Sequence, residues 1–227
     1  MLRALAVLFR LAIAVIAVVG IVLTVGDGSF SGSLVYFTVQ SNVLLAAAFA
    51  WSAVASALGR GHLPPALKGA VTVYILITGL VFNLVLVDTA ADEFAPAHVQ
   101  PAAEQLGSDL LHSVTPVLAA LDWLLFAAHR RLRWSHAALW LVYPFGYLAF
   151  AMIRGGFVDG PDRYPYPFID VDALGYDGLL LNVVVYAVAF WLLGSALVLL
   201  DRLLPGERTA PATPRPAAAE RAGSPAP

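Results

Sequence analysis

Six separate apolar runs, each close to 20 residues, divide this chain, and no other feature restricts its fold so tightly. A hydrocarbon core about 30 Å thick takes roughly 20 helical residues to cross. The runs fall at about 4–24, 35–58, 69–88, 109–128, 135–154 and 178–201. Backbone in lipid must satisfy its own hydrogen bonds, so these runs are expected as helices rather than open strands. The expected fold is therefore all-α, a polytopic membrane bundle of six transmembrane helices filling residues 1–204. Composition agrees: 60% of the residues are hydrophobic and 12% charged, where a soluble domain carries about 25% charged residues. Arg3 and Arg10, with apolar sequence after them, would also suit a signal peptide. The following "TVGDGS" is a poor cleavage site and five more spans come after it, so the run reads as an uncleaved first span.

Charge sets the expected orientation. Ten of the 13 basic residues lie on one side of the bundle: Arg3, Arg60, Lys68, Arg130, Arg131, Arg133, Arg202, Arg208, Arg215 and Arg221. The opposite loops hold only Arg154 and Arg163. The positive-inside bias then puts both termini in the cytoplasm of a multi-pass cell-membrane protein. Eleven of the 15 acids, among them Asp27, Asp88, Asp92, Glu93 and Asp162, fall on the other side. Residues 205–227, rich in Pro and Ala, cannot bury enough to order themselves and read as a disordered cytoplasmic tail.

The same inventory narrows the chemistry. With no cysteine there is no disulfide, thiolate ligand or cysteine nucleophile. A net charge of −2 gives no sign of a nucleic-acid partner. The glycines lack the spacing of a phosphate loop, and no pattern calls for a cofactor. The Ala- and Arg-rich composition suggests a bacterial source.

What remains unusual is polar. "FTVQSN" (37–42) opens the second span with Thr38, Gln40, Ser41 and Asn42, and Ser41 and Asn42 share a helix face with Thr38. In the alternating topology His112 of span four, Asn83 of span three, and Asn182 and Tyr186 of span six reach the same outer layer, with Arg154 closing span five. Polar side chains in spans commonly bond neighbouring helices, which accounts for Ser41, Asn42, Asn83 and Asn182. An ionisable group in a span more often marks a site, which singles out His112. His112 is expected in the first turn of its helix, behind Ser108 and Asp109 as caps, where the helix dipole keeps its imidazole neutral. Pro116 removes the amide that would bond the His112 carbonyl, so a kink is expected there. A threonine hydroxyl needs a base within reach to act as a nucleophile, and Thr38 and His112 lie at one depth.

At this point the chain resembles a known group. Six spans with cytoplasmic termini, a threonine early in span two and a histidine early in span four are similar to the androgen-induced-protein family, membrane threonine hydrolases of fatty-acid esters of hydroxy fatty acids. "YFTVQSNVL", "LLHSVTPVLAALDWLLF" and "YPYPFIDVDALGY" also resemble a bacterial group of six-helix membrane proteins. The resemblance implies Thr38 as nucleophile and His112 as general base, with a membrane lipid ester as substrate. Asn42, Asn83 and Asn182 are candidate oxyanion donors, and Arg154 a candidate partner for a substrate headgroup.

Two further features complete the reading. Tyr164, Tyr166 and Phe168 alternate with Pro165 and Pro167 in a stiff outer loop, an interfacial anchor or a lid over the polar layer. Its Asp170 and Asp172 fall short of a calcium loop, so no metal is expected. Asp122 is expected to form a structural ion pair with the "HRRLR" loop at 129–133. Three functions fit: a lipid-ester hydrolase, a non-catalytic scaffold or lipid-binding protein, and, less favoured for want of an inverted repeat, a transporter.

Overall fold

The computed structural model describes residues 2–26, 28–60, 63–86, 101–160 and 163–206. Residues 207–227 of the expected tail, with Asp27, Asp88, Asp92, Glu93 and Asp162 of the acidic tally, lie outside these. The described residues form helices and no strand. In chain order they are α1 (Leu2–Val25), the single turn α2 (Phe30–Ser33), α3 (Phe37–Ala57), α4 (Pro65–Leu86), α5 (Ala102–Phe126), α6 (Trp134–Leu139), α7 (Val142–Gly155) and α8 (Val171–Leu203). Six helical stretches are long and apolar enough to cross a membrane, with α6 and α7 together making the fifth. The chain is an all-α bundle with the architecture of a multi-pass membrane protein.

Two helices lie deepest. Half of the apolar window of α3 and of α4 is buried, against 17% for α8. α1, α3, α4 and α5 pack on one another, while α8 leans mainly on α6 and the outer loop. Lipid tails are as apolar as leucine, so close packing rather than hydrophobicity must hold such helices together. Glycines make the approaches possible. A Cβ on Gly79 would sit 2.8 Å from Pro116 Cγ and 2.9 Å from the His112 carbonyl, and one on Gly20 would sit 2.6 Å from Leu111.

At the end of the bundle that carries the basic loops, the core is ionic. Asp122 is fully buried and holds Arg10 through Nε at 3.0 Å and Lys68 through Nζ. Arg10 also donates to Ser56 Oγ at 2.6 Å, tying α1 to α3 as well as α5. The expected partner of Asp122, the 129–133 loop, lies elsewhere: its Arg131 and Leu132 amides donate to Asp201 Oδ2 at 2.9 and 2.8 Å. The physical reason is reach. Lys68 falls inside α4, which begins at Pro65 rather than near 69, so its side chain turns into the bundle at the depth of Asp122.

Removing one partner of a buried ion cluster strands the other charges, typically at about 3–5 kcal/mol. Asp122→Ala should therefore lower the thermal midpoint in detergent sharply, whereas Asp172→Ala, which removes an exposed pair with Arg163, should move it by under about 1 kcal/mol. Melting curves of the two purified variants check this.

Candidate functional site

The site is built on a defect in α5. Between Leu110 and Val114 the helix widens into a π turn, in which the Thr115 amide bonds the Leu110 carbonyl. Pro116 has no amide to give. Two successive carbonyls, Leu111 and His112, thus lose their normal partners inside the bundle. Neighbouring side chains supply the bonds. Asn42 Nδ2 donates to the Leu111 carbonyl at 3.3 Å, held in place by Thr115 Oγ1, which donates to Asn42 Oδ1 at 2.8 Å, and Asn83 Nδ2 donates to the His112 carbonyl at 3.1 Å. Asn83 sits in a second π turn, Phe82–Leu86 of α4, facing the first. Single π turns of this kind gather at functional sites.

This frame aims His112 at Thr38. Nε2 lies 3.0 Å from Thr38 Oγ1, and Nδ1 lies 2.9 Å from the Ser108 carbonyl. A carbonyl only accepts, so Nδ1 carries the ring proton and Nε2 is left to accept from the threonine hydroxyl. The Phe82 ring stacks on the imidazole at 3.8 Å and 16°, fixing its plane. One expectation needs correcting. α5 begins at Ala102, so His112 stands ten residues inside the helix, not in its first turn, and the helix dipole has no part in its setting. Ser108 orients the ring through its carbonyl, and its hydroxyl also lies 3.1 Å from Nδ1.

Thr38 is buried in the first turn of α3, whose N-cap residue Tyr36 makes no side-chain cap. A residue far along the chain serves instead: the Tyr166 hydroxyl accepts from the Thr38 amide at 3.4 Å and lies against the Thr38 side chain. Burial holds the Tyr166 phenol above its ordinary pKa, so it keeps its proton. The aromatic outer loop thus reaches into the bundle. Tyr166 stacks on Phe168 at 5.1 Å, and Tyr164 packs on Gly155. Asp170 caps α8, and Asp172 pairs with Arg163 at 2.9 Å, so both carboxylates of the loop are engaged in structure.

Thr38 opens onto an apolar cavity of about 100 Å³. Phe37, Thr78, Phe82, Tyr166, Phe168, Asn182 and Tyr186 are among its walls. The candidate donors divide here. Asn42 spends both amide hydrogens on the Thr38 and Leu111 carbonyls, and Asn83 spends both on Gly79 and His112. Neither lines the cavity, and both act as interhelical supports; Ser41 does likewise, bonded to Thr78 Oγ1 at 2.7 Å. Asn182 faces the cavity and has one hydrogen to spare after donating to the Phe168 carbonyl at 3.0 Å. Arg154 is set apart from the cavity walls, with Nη1 on the Arg163 carbonyl at 2.9 Å. Tyr166, missed as a site residue, was visible in the sequence only as one ring of an aromatic run.

Fold and site together define a polytopic helical membrane protein with a threonine–histidine pair at the wall of an apolar cavity. Comparison with protein-family models, with curated proteins and with solved structures finds no match.

Replacing Asn83 by leucine removes the donor to the His112 carbonyl. An acceptor left unsatisfied away from water costs about 1–3 kcal/mol. The expected result is a thermal midpoint several degrees lower in Asn83→Leu, with no comparable loss in Val117→Leu on the exposed face of α5.

Proposed function

We propose that this chain is a lipid-ester hydrolase embedded in the cell membrane, with Thr38 as nucleophile and His112 as general base. One observation carries the reading: the 3.0 Å contact from Thr38 Oγ1 to a His112 nitrogen whose opposite ring nitrogen is spent on the Ser108 carbonyl. Nucleophile, base and orienting group are the parts that acyl transfer requires. The apolar cavity beside Thr38 suits a hydrocarbon chain better than a polar substrate.

In the proposed reaction Thr38 Oγ1 attacks the ester carbonyl carbon while its proton passes to His112 Nε2. Collapse of the tetrahedral intermediate expels the alcohol, which takes the proton from His112. Water then attacks the acyl-threonine, giving up a proton to His112, and the fatty acid leaves as Thr38 recovers its hydrogen. Tyr166 and the spare Asn182 hydrogen are the donors available to the oxyanion. The competing reading, a non-catalytic lipid-binding protein, draws support from the structural engagement of Asn42 and Asn83.

A fluorophosphonate reagent should label the wild-type protein and fail to label Thr38→Ala or His112→Ala of equal thermal stability. Tyr166→Phe should retain the label but turn over a lipid ester about 10²–10³ more slowly, the usual cost of one oxyanion donor. Ester hydrolysis undiminished in Thr38→Ala would refute the mechanism and favour the lipid-binding reading.

The basic loops support an orientation with both termini in the cytoplasm. A reporter fused after Leu204 that is active only outside the cell would overturn it.

A further inference from the structure

A second cavity, of about 540 Å³, opens at the opposite end of the bundle from Thr38. It lies where the N-terminus of α1 meets the C-terminal ends of α3 and α5. Arg3, Arg10 and Arg60 line it, and among the described residues no carboxylate does. Behind it lies Asp122, which Arg10 shares with Lys68, so that cluster holds two cations to one carboxylate among the described residues.

The guanidinium groups are held in place by backbone. Arg10, 3% exposed, is fixed by Asp122, by Ser56 Oγ at 2.6 Å and by the Phe126 carbonyl at 3.4 Å. Arg3 grips the last turn of α3 through the Ser56 and Ala57 carbonyls, with Nη2 at 2.7 Å from the latter. Each guanidinium has five N–H donors. These contacts use three on Arg10 and two on Arg3, which leaves two and three for a ligand. Arg60 is exposed beside them. The other walls are apolar and face outward: Leu2 is 78% exposed and Leu125 67%. A groove with cations at its head and exposed leucines at its side is complementary to a molecule with an anionic head and hydrocarbon chains. Basic pockets between spans on one face of a membrane recognise lipid phosphates in this way.

We propose that this groove binds the phosphate of an anionic phospholipid from the leaflet on the Arg3 face, with its acyl chains along Leu2 and Leu125. The proposal depends on the helices spanning a membrane and is independent of any hydrolase activity at Thr38.

The test is thermal unfolding of the full chain in a non-ionic detergent, titrated with phosphatidylglycerol, with phosphatidylcholine or with inorganic phosphate. Phosphatidylglycerol should raise the midpoint saturably, while the other two leave it unchanged. Each arginine near a lipid surface contributes on the order of 1 kcal/mol, so the double variant Arg3→Gln/Arg60→Gln should need about 30-fold more phosphatidylglycerol for the same shift. The single variant Arg60→Gln, which disturbs no helix-end contact, should show a smaller loss in the same direction. Equal stabilisation by phosphatidylcholine, or an unchanged titration in the double variant, would overturn the site. An equal shift from inorganic phosphate would overturn its assignment to a lipid.

Discussion

Two carbonyls without amides, Leu111 and His112, are the constraint around which the outer half of this bundle is arranged. In water such groups would be solvated at little cost. Inside a bundle flanked by lipid each must be paired within the protein. Pro116 and the π turn create the deficit, and Asn42 and Asn83 meet it. Because Asn42 comes from α3 and Asn83 from α4, meeting it also sets the positions of those helices against α5. Gly79 adds the necessary closeness, since any side chain there would collide with the His112 carbonyl and Pro116. The contact between Thr38 and His112 then follows, because the same three helices carry both residues and the rings around them.

The two ends of the bundle solve the problem of buried polarity differently. Near Thr38 the groups are neutral: hydroxyls, amides, a phenol and an imidazole whose Nδ1 proton is on the Ser108 carbonyl. At the other end they are charged, with Arg10, Lys68 and Asp122 joining α1, α4 and α5. Neutral pairs cost less to bury than ions. Paired ions fix helices firmly, because removing one partner strands the others.

Much of this was legible in the sequence. Apolar length alone gives six spans, and the alternation of the spans brings Thr38 and His112 to one depth. Helix starts were less legible, because hydropathy marks where lipid begins and not where a helix begins. α5 starts at Ala102 and α4 at Pro65, several residues outside their apolar runs. That error moved His112 to a helix end and left Lys68 in a loop, which in turn hid the true partner of Asp122. The roles of Asn42 and Asn83 were hidden for another reason. Pro116 announces that the His112 carbonyl lacks an amide, but which side chain answers depends on the rotation of two other helices. Tyr166 lay furthest from view, since its contact with Thr38 spans 128 positions and depends on how the outer loop folds inward.

Packing also determines how a long molecule could reach Thr38. The cavity lies between the close-packed side of the bundle, represented by α3 and α4, and the lightly packed side made by α7 and α8. Its roof is firm: Arg163 bonds the Gly155 carbonyl and Asp172, and Asn182 holds the Phe168 carbonyl. Entry from above would break several of these bonds together. The flank is lined by Phe145 and Leu148 of α7 and by Tyr186 and Phe190 of α8, apolar or aromatic side chains beside which a hydrocarbon chain is accommodated at small cost. Under the proposed lipid-ester reading, a chain-like substrate would enter through this apolar flank and bring its polar end to Thr38 once its apolar part has found cover.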